Sequence, residues 1–195
     1  MRPINKPECG KVALRPTCPR DLEFVLASEQ HRDNALFIRQ WSAEQHLTAI
    51  EDPDIGHFLV LSISSGEPVG YVILVGLENP DFSLELRRIV ITEKGCGYGR
   101  AATRMVKSYA FENINCHRLW LDVMLHNKRA FKLYKSEGFR VEGIHRQAVR
   151  QGTRFLDVRV MSLLRDEYYE RFYHRPTRLL TDRLDMQDCG QVLIR

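Results

Sequence analysis

Three glycines within five residues, Gly95-Cys96-Gly97-Tyr98-Gly99, narrow the folds available here more sharply than the composition does. The segment before them, Leu84 to Ile91, alternates at first and ends on three consecutive apolar residues, Ile89, Val90 and Ile91, as a strand does when its end is buried. Behind them Ala102, Met105, Val106, Tyr109 and Ala110 recur at helical spacing. A glycine turn between a strand and a helix N-terminus points free N–H groups outward. It adds the positive end of the helix dipole, and no Cβ blocks a phosphate. The expectation is a phosphate-bearing ligand in an α/β fold. Spacing rules out two ways of holding one: no P-loop run exists, and a Gly-x-Gly-x-x-Gly fingerprint fails at Arg100.

The flanking patterns fill in the layers. Val12 to Leu14 reads as an edge strand, and Pro19-Arg20-Asp21 opens a helix with Leu22, Val25 and Leu26 on one face. Ser42 and Gln45 have the spacing of a capping box for a second helix. Phe58 to Ile63 and Val69 to Leu77 read as a hairpin around Ser64-Ser65-Gly66-Glu67. Further on, His117 to Leu125 is strand-like, with Leu119, Leu121 and Val123 alternating. Lys128 to Ser136 is helical and closed by Gly138. Phe139 to Ile144 and Phe155 to Leu164 are strands around Gln151-Gly152-Thr153, and Asp166 to Tyr173 reads as a closing helix. The segment Leu180 to Leu184 is open between a strand and an unstructured end. This order of elements is that of a mixed α/β layer protein. Residues 1–11 read as an extension, 12–173 as one domain and 174–195 as a tail.

Other chemistry is disfavoured. The five cysteines, Cys9, Cys18, Cys96, Cys116 and Cys189, match neither a zinc pair nor a disulfide scaffold, and the seven histidines form no H-x-x-x-H pair. No metal is expected. A net charge of +4 suits an anionic ligand but is too weak for nucleic acid. The N-terminal stretch lacks an apolar signal core and no apolar run is long enough for a membrane span, so a cytoplasmic protein with no membrane partner is expected.

The wider loop, Lys94-Gly95-Cys96-Gly97-Tyr98-Gly99-Arg100, resembles motif A of the GNAT family of N-acetyltransferases, (Gln or Arg)-x-x-Gly-x-(Gly or Ala), with Lys94 in place of Gln or Arg. Downstream, Asn127, Ala130, Tyr134 and Gly138-Phe139 match the family's N-x-x-A-x-x-x-Y-x-x-x-G-F pattern, in the expected order and on the expected elements. The likeness covers about residues 12–168, and it points to the RimJ/RimL-type or diamine (spermidine) acetyltransferase branch. It implies a mixed, mostly antiparallel sheet of about six or seven strands with helices on both faces. It also implies transfer of acetyl from acetyl-CoA to a primary amine by direct attack. The acceptor is a polyamine or other small amine, or a protein N-terminal amine. The alternative is a CoA-binding regulatory domain without turnover. A homodimer is a common arrangement for such folds.

The resemblance also implies roles. Lys94, Gly95, Cys96, Gly97, Tyr98, Gly99 and Arg100 would meet the pyrophosphate of coenzyme A, with Arg104 either beside it or simply on the surface. Asn127 would contact the pantetheine arm, though it also reads as a helix N-cap. Backbone groups of Ile89, Val90 and Ile91 would meet the thioester and its oxyanion. Tyr134 would bind at the coenzyme's reacting end and protonate the leaving thiolate; on its own, sharing a face with Ala130 and Leu133, it reads as a core residue. Glu85 is the candidate base, and pairing with Arg87 or Arg88 is the competing reading.

Overall fold

Alternating apolar segments become one seven-stranded open sheet in the order β1-β2-β3-β4-β5-β7-β6. The computed structural model describes residues 11–173, so the segment 180–184 lies outside it. The strands are β1 (Val12–Pro16), β2 (Ile55–Ser62), β3 (Pro68–Val75), β4 (Ser83–Ile91), β5 (Arg118–Met124), β6 (Arg140–Gln151) and β7 (Arg154–Leu164). The helices are α1 (Leu22–Gln30), α2 (Arg32–Ala35), α3 (Ala43–Glu51), α4 (Tyr98–Ser108), α5 (Lys128–Ser136) and α6 (Arg165–Tyr173). Every neighbouring pair of strands is antiparallel except β4 and β5.

Helices cover both faces. Leu84, Leu86, Leu119 and Leu121 pack with Met105 and Val106 of α4 and Tyr134 of α5. On the other face Leu59, Tyr71, Ile73 and Val90 pack with Val25 of α1, with Trp41 alongside. Each face removes a continuous apolar layer from water, the dominant favourable contribution to such a fold.

The one parallel pair positions the site. β4 and β5 match only at Ser83–Arg118, Leu84–Leu119 and Glu85–Trp120. Beyond that point β4 stays on β3 as far as Ile91, while β5 stays on β7 as far as Met124. The two strands therefore part company in mid-sheet. A bulge accompanies the split: the β3–β4 register steps from Ile73–Arg88 to Leu74–Leu86, leaving Arg87 unmatched. The extra residue inverts the side-chain phase of β4. Leu84 and Leu86 face α4 before it; Val90 faces α1 after it, and Ile91 takes over the α4 side. A bulge bends its strand and re-aims its side chains in this way.

The anticipated capping box forms at α3: Gln45 N–H donates to Ser42 Oγ at 3.2 Å and Ser42 N–H to Gln45 Oε1 at 2.9 Å. The one-turn helix α2 was not foreseen, because four residues are too few to show a period. Its start is capped by the His31 ring, which accepts from Asp33 N–H at 3.3 Å. β6 also runs seven residues past the expected Ile144. It is an edge strand with nearly every residue exposed, so no alternation marks its length. No helix among the described residues is long and apolar enough to cross a membrane.

Candidate active site

The glycine loop is built for close approach. Gly95 has φ +88° and Gly97, the N-cap of α4, has φ +84°, both in the left-handed region that side chains disfavour. A Cβ on Gly95 would meet nothing within 4 Å, and one on Gly97 would meet only the Lys11 side chain, at 3.3 Å. The space above the loop is therefore open to a phosphate at a helix N-terminus. Lys11 Nζ donates to Cys96 O at 3.1 Å, which brings a cation to the rim. Lys94 turns the other way. Its ammonium donates to Asn34 Oδ1 and, at 2.5 Å, to Ile91 O, and burial lowers its pKa. Its side chain thus anchors the loop to β4 and α2. Cys96 is exposed, and Tyr98 Oη lies 3.4 Å from Ser62 Oγ. Gly99 sits where Leu133 of α5 and Ile91 of β4 converge, 3.6 and 3.9 Å from its Cβ position.

Arg100 faces α5. Its Nη1 donates to Glu137 Oε1 at 2.6 Å and to Ser136 Oγ at 3.0 Å. Glu137 is buried and also receives Arg104 Nε at 3.2 Å and Lys107 Nζ at 2.9 Å. Burial alone would raise this carboxyl; hydrogen bonds from Lys107, Arg104 and Arg100 outweigh it and hold the pKa below the usual range. One carboxylate thus fastens the loop-bearing helix to the end of α5.

α5 carries Asn127 and Tyr134. Asn127 caps the helix, its Oδ1 accepting from Ala130 N–H at 3.1 Å. Tyr134 is buried one helix turn before Glu137, edge-on to Phe139 with ring centroids 5.7 Å apart. Among the described residues its hydroxyl has no hydrogen-bond partner, and burial, then the Asp122 charge, push its pKa up. It is held as the neutral phenol, the form that donates a proton.

On the opposite face of the sheet, Glu85 gives both carboxylate oxygens to Arg87. Asp122 lies two residues past Trp120, the last β5 residue to pair with β4. Leu119, Leu121 and Val123 face the α4 core, so Asp122 points with Trp120 and Glu85 to the other side. Water reaches its side chain, but the walls of the split leave it poorly solvated. Desolvation, then the Glu85 charge, raise its pKa against the pull of Arg87 and His145. Sequence reasoning passed over Asp122. The signal was present: a carboxylate in an otherwise apolar central strand, out of phase with the core. Lys11 and Glu137 were also missed, one lying at the edge of a presumed extension and the other between two motif positions.

Beneath the α1–α3 side lies a buried polar chain. Glu29 accepts from Tyr71 Oη at 2.5 Å, from Trp41 N–H at 2.9 Å and from Arg88, which stacks over the Trp41 ring at 4.4 Å. His46 Nε2 is 3.2 Å from Glu29 but poorly aimed for a hydrogen bond, and His46 Nδ1 meets His57 Nε2 at 3.1 Å. His57 Nδ1 ends the chain on Thr17 Oγ1 at 2.9 Å. Burial, then the His46 and Arg88 charges, push His57 down to about 4. Among the described residues no three His, Cys, Asp or Glu side chains converge as a metal-ligand set.

A sheet that opens at its single parallel junction, a glycine cradle at a helix N-terminus on one side and a buried neutral phenol beside the gap define a coenzyme A-dependent N-acetyltransferase. The family model for "Acetyltransferase (GNAT) family" matches residues 20–139, and the chain belongs to that family. It is 30% identical over 146 residues to the spermidine N(1)-acetyltransferase of Escherichia coli K12, spanning 70% of this chain and 77% of that protein. A Vibrio cholerae spermidine N(1)-acetyltransferase is 30% identical over 104 residues, 53% of this chain and 60% of that one. The crystal structure of the Vibrio cholerae spermidine N-acetyltransferase in complex with CoA and spermine superposes with a TM-score of 0.72 at 25% identity, covering 81% of this chain and 98% of that chain. This protein transfers an acetyl group from acetyl-CoA to an amine.

Proposed function

We propose that the acceptor is a polyamine of the spermidine class, acetylated on a primary amine, and that residues 12–173 form the catalytic domain. The observation that carries this is the pair of carboxylates, Glu85 and Asp122, on one face of the split sheet with Tyr134 on the other. An acidic wall favours a slender polycation over a peptide N-terminus carrying a single charge. The likeness to proteins that act on spermidine supports the same class.

In this reading the 94–100 loop with Lys11 takes the coenzyme's diphosphate, and Asn127 the pantetheine arm. Backbone groups of Ile89, Val90 and Ile91 meet the thioester carbonyl and stabilise its oxyanion. The ammonium loses a proton and the neutral amine attacks the carbonyl carbon. The C–N bond forms, the C–S bond breaks, and Tyr134 protonates the departing sulfur. A cytoplasmic location and a homodimer complete the reading, the latter supported by exposed Val141 and Ile144 on edge strand β6 and Phe155 on β7.

The test is a thiol-release assay with acetyl-CoA across spermidine, spermine, putrescine, free amino acids and an unblocked peptide. Spermidine and spermine are expected to show the highest kcat/KM. Turnover confined to the peptide would replace the polyamine reading with the N-terminal one.

A further inference from the structure

Two carboxylates border the split, and their surroundings differ. Glu85 is engaged: Arg87 Nε and Nη2 occupy both its oxygens, at 2.7 and 2.6 Å. To receive a proton it would first have to surrender both hydrogen bonds from Arg87. Asp122 has no ion pair and no side-chain hydrogen bond among the described residues, and water reaches it. It projects to the same side as Glu85 and lies just past the last β4–β5 pair, where the gap between the strands begins.

We propose that Asp122, rather than Glu85, is the carboxylate that takes the proton from the acceptor's ammonium group, with the Glu85–Arg87 pair as a fixed wall beside it. This rests on the acetyl-transfer reading above. The proton leaves the ammonium for Asp122, the freed lone pair forms the new C–N bond, and Asp122 passes the proton on to water. The charged groups that act on Asp122 are Glu85 and Arg87 from β4 and His145 from β6, while Tyr134 of α5 feels its charge from the opposite face of the sheet. Glu85 and poor solvation raise its proton affinity, and Arg87 and His145 lower it. The net rise brings a general base nearer to working pH.

The test is kcat/KM for spermidine against pH, using the full chain and four variants, Asp122→Asn, Asp122→Glu, Glu85→Gln and His145→Gln, with coenzyme affinity measured on each. Asp122→Asn should lower kcat/KM by about 10²–10⁴-fold and abolish the acid limb while coenzyme affinity holds. Asp122→Glu should recover part of the loss, and Glu85→Gln and His145→Gln should keep the limb. A limb that persists in Asp122→Asn, or disappears in Glu85→Gln or His145→Gln, overturns the proposal. If Asp122→Asn misfolds and no longer binds coenzyme, Asp122→Glu decides: an unaltered profile in that variant overturns the assignment, and a displaced or weakened limb supports it. A wild-type chain that binds coenzyme but acetylates no amine overturns the transfer reading itself, a result no variant-specific change can mimic.

Discussion

Arg87 holds Glu85 by two hydrogen bonds, of 2.7 and 2.6 Å, from the bulge that inverts the phase of β4. Arg87 is partly exposed and Glu85 largely shielded, and such a partly exposed pair adds about 0–1 kcal/mol to stability. Its influence is electrostatic. Arg87 offsets part of the Glu85 charge and pulls Asp122 down. Arg87→Met removes both effects, so Asp122 should bind its proton more tightly and the acid limb of kcat/KM should move to higher pH. Folding stability should barely change. An unmoved limb, read from the spermidine profile, would count against this wiring.

Tyr134 is placed by packing, and among the described residues its hydroxyl makes no hydrogen bond that Phe would forfeit. Tyr134→Phe should therefore fold normally and bind coenzyme with nearly wild-type affinity, while kcat falls by about 10²-fold or more. Calorimetric titration beside steady-state assay separates the two; equal losses in affinity and kcat would assign the ring to binding alone.

The loop makes two separable demands. Gly97 needs its positive φ, so Gly97→Ala should cost about 1–2 kcal/mol of stability and weaken coenzyme binding. Lys11 reaches the loop with its ammonium, which donates to Cys96 O. Lys11→Met should leave stability unchanged, weaken coenzyme A in a salt-dependent way and spare acetyl-pantetheine, which has no diphosphate. Equal weakening of both ligands would deny Lys11 a phosphate role.

Glu137 is the carboxylate shared by Arg100, Arg104 and buried Lys107. Glu137→Gln removes a charged partner from a buried ammonium and should cost about 3 kcal/mol or more in urea denaturation. Adding Lys107→Met should restore part of that loss, whereas an additive double mutant would mean the two groups do not depend on each other.

His57 gives the fold a pH dependence of definite sign. Its pKa is about 4 when folded against an ordinary 6.5, so between these values the unfolded chain takes a proton that the native one refuses. Stability is complete above about pH 6.5 and declines as pH falls, by about 3 kcal/mol on reaching pH 4. Urea midpoints from pH 7 to 4 should show this decline in the wild type. His57→Gln, less stable at pH 7, should show a flatter profile.

The sequence disclosed regular features and concealed the irregular ones. α5 spans the very residues, Lys128 to Ser136, that its pattern and the following glycine indicate, because an amphipathic face and a C-cap are both local signals. The Ser42–Gln45 box is local too. The bulge at Arg87 is not: it exists only in the register of β4 against β3, and no single-strand pattern encodes it. The same holds for the candidate site. The loop could be read because its glycines are contiguous. Asp122 could not be ranked above Glu85, since what separates them is which carboxylate an arginine reaches in three dimensions. Lys11 falls at the end of the expected N-terminal extension, yet it meets the loop eighty-five residues away in sequence.

The three-way grip on Glu137 also governs how the molecule can move. It locks the helix that bears the cradle to the helix that bears Tyr134, so these two behave as one rigid body and should exchange their amide hydrogens as a single slow unit. The shape of the glycine loop and the position of the phenol are then fixed at the moment of folding. The opposite wall, the short helices and loops from α1 to α3, stands outside this clamp and is the side left free to adjust to acceptors of different length. In mechanical terms the donor half is the anvil, and fit is adjusted from the other side.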